Sequence, residues 1–287
     1  MSTELKYGYI GLGNMGAPMA RRLTGWPGGL VVFDLRAEAM APLAEAGAAT
    51  AGSLAEVAAA DIISITVLND AQVRSVVADL VPQVKPGTVI AIHSTISPDT
   101  AVELADELRP KDIHVVDAPV SGGGAAAEKG ELAVMVGADR PVYERIKPAF
   151  KQFASMVIHA GEPGAGTRMK LARNMLTFTG YAAACEAMRL AEQAGIDLQQ
   201  LGRVVRHTDA LTSGPGAIMV RDNMRPLDHD NFLYESFLHA RGLGEKDLAL
   251  ALALGEKVSV DLPLAQVALQ NLADGLGVPH VESSTEE

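Results

Sequence analysis

The sequence predicts an α/β fold: a doubly wound parallel sheet in the N-terminal half, then a long helix and an all-α C-terminal domain. Three observations lead there. Up to about residue 162, short Val/Ile-rich runs alternate with helix-like segments, as repeated strand–helix units do. The stretch Gly161-Glu162-Pro163-Gly164-Ala165-Gly166 then interrupts the alternation. Beyond it, residues from about 167 to 195 hold an unbroken helical pattern, and no convincing strand follows. These readings divide the chain into residues 1–163 and 164–287.

Taken in order, the candidate strands are Tyr7–Ile10, Leu30–Phe33, Ile62–Val67, Thr88–Ile92, Ile113–Val116, Ala133–Val136 and Met156–His159. Several are continuous apolar runs rather than alternating ones, which marks strands covered on both faces. Helical segments lie between them at Pro18–Leu23, Leu54–Ala60, Asp70–Leu80 and Thr100–Leu108. Such units call for parallel neighbours joined by right-handed crossovers. After Gly195, helices are separated by Gly/Pro breaks, and the polar tail Glu282–Glu287 is expected to fray.

Composition narrows the function classes. With 48% hydrophobic and 21% charged residues, the chain is globular rather than disordered. A formal net charge of −11 without a Lys/Arg cluster argues against nucleic acid as a partner. A single cysteine, Cys185, excludes an intrachain disulfide and is expected to be a small buried helix residue. The histidines show no ligand spacing, so no metal is expected. His93 is expected to be a satisfied histidine at a strand end. The run Lys6-Tyr7-Gly8-Tyr9-Ile10 enters a fold element directly, which predicts no signal peptide. The longest apolar run, around Leu248 to Leu254, is too short for a bilayer. A cytoplasmic protein without membrane contact is the expectation.

Gly11-Leu12-Gly13-Asn14-Met15-Gly16 follows the first strand and opens a helix. In this context Gly11 permits a tight turn, Gly13 lets backbone approach a pyrophosphate, and Gly16 lets helix and strand pack closely. Asp34 follows the second strand, at about the 20-residue offset where a carboxylate takes the adenosine ribose hydroxyls. Strand, glycine loop, helix, strand and acid in that order make residues 1–163 an NAD(P)-binding Rossmann domain. Asp34 favours NAD, because it would repel a 2′-phosphate. Arg36 leaves NADP open, since it is either a solvated cation or a phosphate partner.

Four segments then resemble the β-hydroxyacid dehydrogenase family, which includes 3-hydroxyisobutyrate dehydrogenase and is similar in logic to 6-phosphogluconate dehydrogenase. They are the glycine loop with Ala17-Pro18-Met19-Ala20, Asp117-Ala118-Pro119-Val120-Ser121-Gly122-Gly123, Gly164-Ala165-Gly166-Thr167-Arg168-Met169-Lys170 with Asn174, and Lys246-Asp247-Leu248. The resemblance implies that Lys170 is the catalytic acid/base and Asn174 orients the substrate. It implies that Ser121, Gly122 and Gly123 bind substrate. It implies that Thr95 lies near the nicotinamide, and that Val67, Leu68, Asn69 and Lys246 contact the cofactor. Independently, Val67, Leu68, Asn69 and Thr95 fall at carboxyl ends of strands, where open α/β sheets bind ligands.

The residue types suit these roles. Lys170 and Asn174 share a helix face, and a lysine doing proton transfer needs surroundings that lower its pKa. Two successive glycines after Ser121 free the backbone to aim amides at a carboxylate. Where the family usually has two adjacent asparagines, this chain reads Arg173-Asn174. Arg173 either clamps a carboxylate, lowers the Lys170 pKa, or sits in a structural ion pair. The expected partner is a small hydroxy acid, with Lys170 giving or taking its proton. Two alternatives stand beside that: a catalytically silent NAD(H)-binding regulatory module, and an imine reductase, whose members generally carry Asp or Tyr where this chain has Lys170. A homodimer or homotetramer is expected, because the long helix has too few helices to cover it. Tyr234, Phe237 and Leu238 open the helix that leads to Lys246, as pocket lining or as core.

Overall fold

The computed structural model describes residues 5–280, so the tail Glu282–Glu287 lies outside it. The described chain divides into two compact units, whose boundary in sequence falls between Met175 and Leu176.

The first unit begins β1 (Tyr7–Ile10), α1 (Gly16–Arg21), β2 (Leu30–Phe33), α2 (Ala41–Glu45), β3 (Ala49–Thr50), α3 (Leu54–Val57), β4 (Ile62–Ile65) and α4 (Asp70–Leu80). It continues β5 (Val89–Ile92), α5 (Pro98–Leu108), β6 (His114–Asp117), β7 (Val120–Ser121), α6 (Gly123–Lys129), β8 (Leu132–Gly137), α7 (Arg140–Phe150) and β9 (Ala154–Gly161). All seven expected strands form. The strands from β3 to β6 are parallel, in the order β3-β2-β1-β4-β5-β6. The order reverses between β1 and β4, the point at which such sheets open a ligand crevice.

The sheet departs from the uniformly parallel expectation beyond β6. There β8 runs antiparallel to both β6 and β7, and β9 then pairs parallel with β8. Two very short strands, β3 and β7, carry too few residues for a periodic signal.

Strand residues alternate between two apolar layers. Tyr7, Tyr9, Ile62, Val89 and Ala91 pack on one face with Met19, Leu23, Phe150 and Phe153. Ile63, Ile65, Ile90 and Ile92 pack on the other with Val73, Val77 and Leu104. The continuous Val/Ile runs therefore serve both faces of one covered sheet. Each such side chain contributes about 1.5–3 kcal/mol when fully buried.

The helix α8 (Ala165–Gln193) carries the expected long pattern. Within the second unit follow α9 (Leu198–Thr212), α10 (Tyr234–Lys257) and α11 (Pro263–Leu276). Tyr234 and Phe237 are buried with Leu276 and Val278, and Leu238 packs against them, so all three are core. The carboxylate of Glu186, itself buried, accepts from the backbone amides of Leu264 (2.9 and 3.1 Å) and Ala265 (3.2 Å) at the start of α11. Cys185 corrects the sequence reading: it is exposed, because most of α8 after Met175 is exposed along its length. Met175, Phe178 and Tyr181 share that exposure, as do Leu211, Met219, Met224 and Phe232. Among the described residues no helix is long and apolar enough to cross a membrane. Among them, too, no group of His, Cys, Asp or Glu side chains is placed to hold a metal ion.

Candidate active site

The glycine loop sits at the carboxyl end of β1. Gly11 has φ +88° and its amide donates to the Phe33 carbonyl at 3.0 Å. A Cβ on Gly16 would fall 1.9 Å from the Gly11 carbonyl oxygen, so only glycine lets α1 start this close. At Gly13 the space is open, with nothing within 4 Å of where a Cβ would stand. The loop faces a groove of about 700 Å³ lined by Gly13, Asn14, Pro18, Arg36 and Gly124 among others. Asn14 is exposed, Met15 is half-buried, and the Leu12 side chain is core, so only its backbone faces Asp34.

Asp34 fixes the other side of the crevice. Its Oδ2 accepts from the Leu12 amide at 2.7 Å and its Oδ1 from the Arg36 amide at 2.9 Å. Burial pushes this carboxyl up, but those two amides and the Arg36 charge outweigh it and hold it below the ordinary carboxylate value. Arg36 is mostly exposed and its Nε lies 3.4 Å from Asp34 Oδ1. An ionised acceptor, an open loop over Gly13 and an adjoining groove fit a dinucleotide.

The remaining strand ends supply the expected neighbours. Ser94 Oγ donates to the Val67 carbonyl (2.7 Å) and accepts from the Val67 amide (2.9 Å), which ties the end of β5 to that of β4. Thr95 is exposed beside it. Leu68 is 85% exposed and Leu35, next to Asp34, is 94% exposed. Apolar side chains left open at strand ends suit the flat faces of a base, and Leu35 was not singled out from sequence. Asn69 caps α4 through its Oδ1, which accepts from the Gln72 amide at 3.0 Å. His93 is buried between the Ser64 hydroxyl and the Ala118 carbonyl, both at 2.8 Å from its ring nitrogens, as a satisfied strand-end histidine.

The structure brings together the segments expected to hold the substrate and the acid/base. Lys170 on α8 is buried, and its Nζ donates to the Val120 carbonyl (2.6 Å) and to Ser121 Oγ (2.8 Å) of β7. Burial, and then the charge of Arg173, lowers the Lys170 pKa from its ordinary value. Arg173 is exposed, with its Nη1 3.4 Å from Asn174 Oδ1, and Asn174 is half-buried. Gly122 (φ +135°) and Gly123 (φ +74°) occupy conformations that disfavour any side chain, which is why glycines stand where β7 turns into α6. A Cβ on Gly124 would lie 3.6 Å from the Asn14 carbonyl, so this turn also borders the glycine loop. Lys246 belongs to the second unit, where its Nζ pairs with Asp247 at 3.0 Å.

One residue of the second motif has a job that sequence reasoning missed. The Asp117 carboxylate, 1% exposed, accepts from the amides of Gly164 (2.7 Å) and Thr167 (2.6 Å) at the start of α8.

Residues 6–161 match the family described as the NAD binding domain of 6-phosphogluconate dehydrogenase. Residues 164–277 match that described as NAD-binding of NADP-dependent 3-hydroxyisobutyrate dehydrogenase. An uncharacterized oxidoreductase of Mycobacterium tuberculosis is 66% identical, over 97% of this chain and 95% of its own. The 2-(hydroxymethyl)glutarate dehydrogenase of Eubacterium barkeri is 33% identical, over 96% and 90%. A crystal structure described as an oxidoreductase from Mycobacterium avium 104 is 77% identical, covers 96% of this chain and 100% of its own, and superimposes with a TM-score of 0.94.

Proposed function

Since the chain belongs to the β-hydroxyacid dehydrogenase family and is an NAD(P)-dependent oxidoreductase acting on CH–OH groups, we propose that it oxidises or forms a small β-hydroxy acid of the 3-hydroxyisobutyrate type, with Lys170 as acid/base. The observation that carries this is the seating of Lys170 Nζ on the Val120 carbonyl and Ser121 Oγ. Both acceptors take N–H bonds of the amine, which leaves one tetrahedral position on Nζ. In the ammonium that position is a third N–H, and in the neutral amine it is a lone pair. The same geometry therefore serves an acid that gives its proton to a substrate oxygen and a base that takes one.

Bound NAD(H) supplies the hydride transfer at the carbinol carbon. The chain's residues do the rest. In the loop Gly11-Leu12-Gly13-Asn14-Met15-Gly16 the open stretch from Gly13 onward would hold the pyrophosphate, since the Gly11 and Leu12 amides are taken by Phe33 and Asp34. Asp34 would take the ribose diol, which makes NAD the preferred cofactor and leaves NADP to Arg36. Val67, Leu68, Asn69 and Thr95 complete the cofactor contacts of the first unit, and Lys246 is carried as a cofactor-contact candidate by the family resemblance alone. Ser121, Gly122 and Gly123 hold the substrate carboxylate, with Arg173 as a second cation, and Asn174 orients the carbinol. Burial of Lys170 makes the neutral amine accessible at lower pH than an ordinary lysine allows. Residues 1–163 act as the cofactor domain and residues 164–287 as the substrate and dimerisation domain. The exposed side chains Met175, Phe178 and Tyr181 of α8 are the kind of surface a homodimer or homotetramer covers.

The test is turnover with NAD and NADP on 3-hydroxyisobutyrate, glycerate, serine and 4-hydroxybutyrate, for the wild type and Lys170→Ala. The variant should retain cofactor binding and lose about 10²–10⁴ in kcat. Near-wild-type turnover by Lys170→Ala would sink the mechanism.

A further inference from the structure

We propose that Asp117 is a positioning residue for Lys170: it clamps the first turn of α8 so that the amine stays seated on Val120 and Ser121. This rests on the acid/base reading of Lys170. The opening amides of a helix have no partners within it, and the residue ahead of α8 is Gly164, which has no side chain to serve as a cap. The Asp117 carboxylate fills that place from another element, with one oxygen on the Gly164 amide and the other on the Thr167 amide.

Its place in the chain makes this more than a cap. Thr167 lies one turn ahead of Lys170 on the same helix, and Asp117 ends the strand that leads directly into Val120 and Ser121. One short segment, from Asp117 to Ser121, therefore grips α8 at two points: its amides through the carboxylate, and the Lys170 amine through β7. The surroundings leave little slack. A Cβ on Gly137 would fall 2.2 Å from Asp117 Oδ1, and one on Gly166 would fall 2.3 Å from the Met135 carbonyl and 2.7 Å from that of Asp117. Burying a carboxylate is costly, and burial pushes the Asp117 carboxyl up, against the pull of the Thr167 and Gly164 amides. A surface cap would serve the helix without that cost. What burial adds is a fixed distance between β6 and the turn that carries Lys170.

Asp117→Asn keeps the shape but turns one acceptor into a donor facing a backbone N–H. Asp117→Ser keeps a single, shorter acceptor. The expected result for each is wild-type NADH affinity, a kcat lower by about 10- to 100-fold, as a small misplacement of a reacting group produces, and an alkaline shift of the pH–rate limb as the amine gains solvent. Unchanged kcat and limb would overturn the proposal. So would a lowered Tm with an unmoved limb, or failure of both variants to fold, since either makes the role one of stability alone. Lys170→Ala run in parallel separates the two claims: if it remains active the acid/base reading falls, whereas wild-type behaviour of Asp117→Asn removes only the positioning role.

Discussion

Lys170 Nζ donates to Ser121 Oγ across 2.8 Å, joining α8 to the end of β7 just before α6. On the proposed mechanism the serine hydroxyl has two tasks, holding the amine and offering its own proton to a bound carboxylate. Ser121→Ala removes one of the two acceptors that orient the amine and leaves Val120 alone. A lost hydrogen bond to a charged group is worth about 1.5–3 kcal/mol, so kcat/KM should fall roughly 10- to 100-fold. Steady-state kinetics with a saturating cofactor would read it. A fall confined to KM would mean that the hydroxyl serves substrate binding and not the amine.

With Lys170 as the proposed acid/base, its pKa should set the pH dependence. Burial and the Arg173 charge both depress it, so oxidation, which needs the neutral amine, should rise with pH through a limb lying below the ordinary lysine value. Reduction, which needs the ammonium, should fall through the same limb. Arg173→Gln removes the smaller of the two causes and should move the limb toward alkaline pH in both directions of reaction. A pH–rate profile that stays in place would assign the depression to burial alone.

How much of this was legible in the sequence depends on how local each feature is. The glycine loop and Asp34 could be read because turn, helix start and acid lie in one strand–helix–strand unit. The apolar strands could be read because a sheet covered on both faces leaves no polar alternation to confuse them. Ser121, Gly122 and Gly123 could be read as an anion-binding turn, but Ser121 could not be read as the end of a two-residue strand antiparallel to β8. The clamp from Asp117 to α8 could not, since its partners lie 47 and 50 residues away and leave no spacing signal. Cys185 failed because a helical pattern does not say which stretch of a helix is covered.

Asp34 should govern cofactor choice. Its carboxyl is pushed up by burial, but the Arg36 and Leu12 amides hold it below the ordinary value, so it is ionised throughout the neutral range. The binding it supports is complete above the ordinary carboxylate pKa and is lost only as pH falls through the lower folded value. The KM for NAD should therefore be flat from about pH 5 to pH 8. Asp34→Ser should weaken NAD by roughly 10- to 100-fold, the worth of a charge-assisted bond, and leave NADP less affected. Initial rates with both cofactors give the ratio, and an unchanged ratio would place selectivity elsewhere.

His93 should make stability, rather than turnover, depend on pH. It is fully buried between Ser64 and Ala118, and burial lowers its pKa from 6.5 to about 4, against the Ala118 hydrogen bond that raises it. Below the unfolded value the denatured chain binds a proton that the native chain refuses, so stability falls as pH drops from 6.5 toward 4. The full loss is about 3 kcal/mol at 1.36 kcal/mol per unit. Urea melts at several pH values should show this slope in the wild type, and His93→Asn should reduce it. Parallel slopes in the two proteins would mean that the ring is hydrated or protonated in the native state.

Glu186 offers a separable test of remote capping in the second unit. The first residue of α11 is Pro263, which has no amide proton, and Leu262 ahead of it makes no side-chain cap. The next two amides, Leu264 and Ala265, both go to the Glu186 carboxylate. Glu186→Ala strands these donors and should cost about 1–2 kcal/mol, as loss of a helix cap does. Glu186→Gln keeps one acceptor oxygen and should cost less. Denaturant unfolding of the three proteins orders them as wild type, Gln, Ala if the carboxylate works as a cap. Equal loss in both variants would instead point to its charge at the helix start, since Gln keeps the acceptor but not the charge.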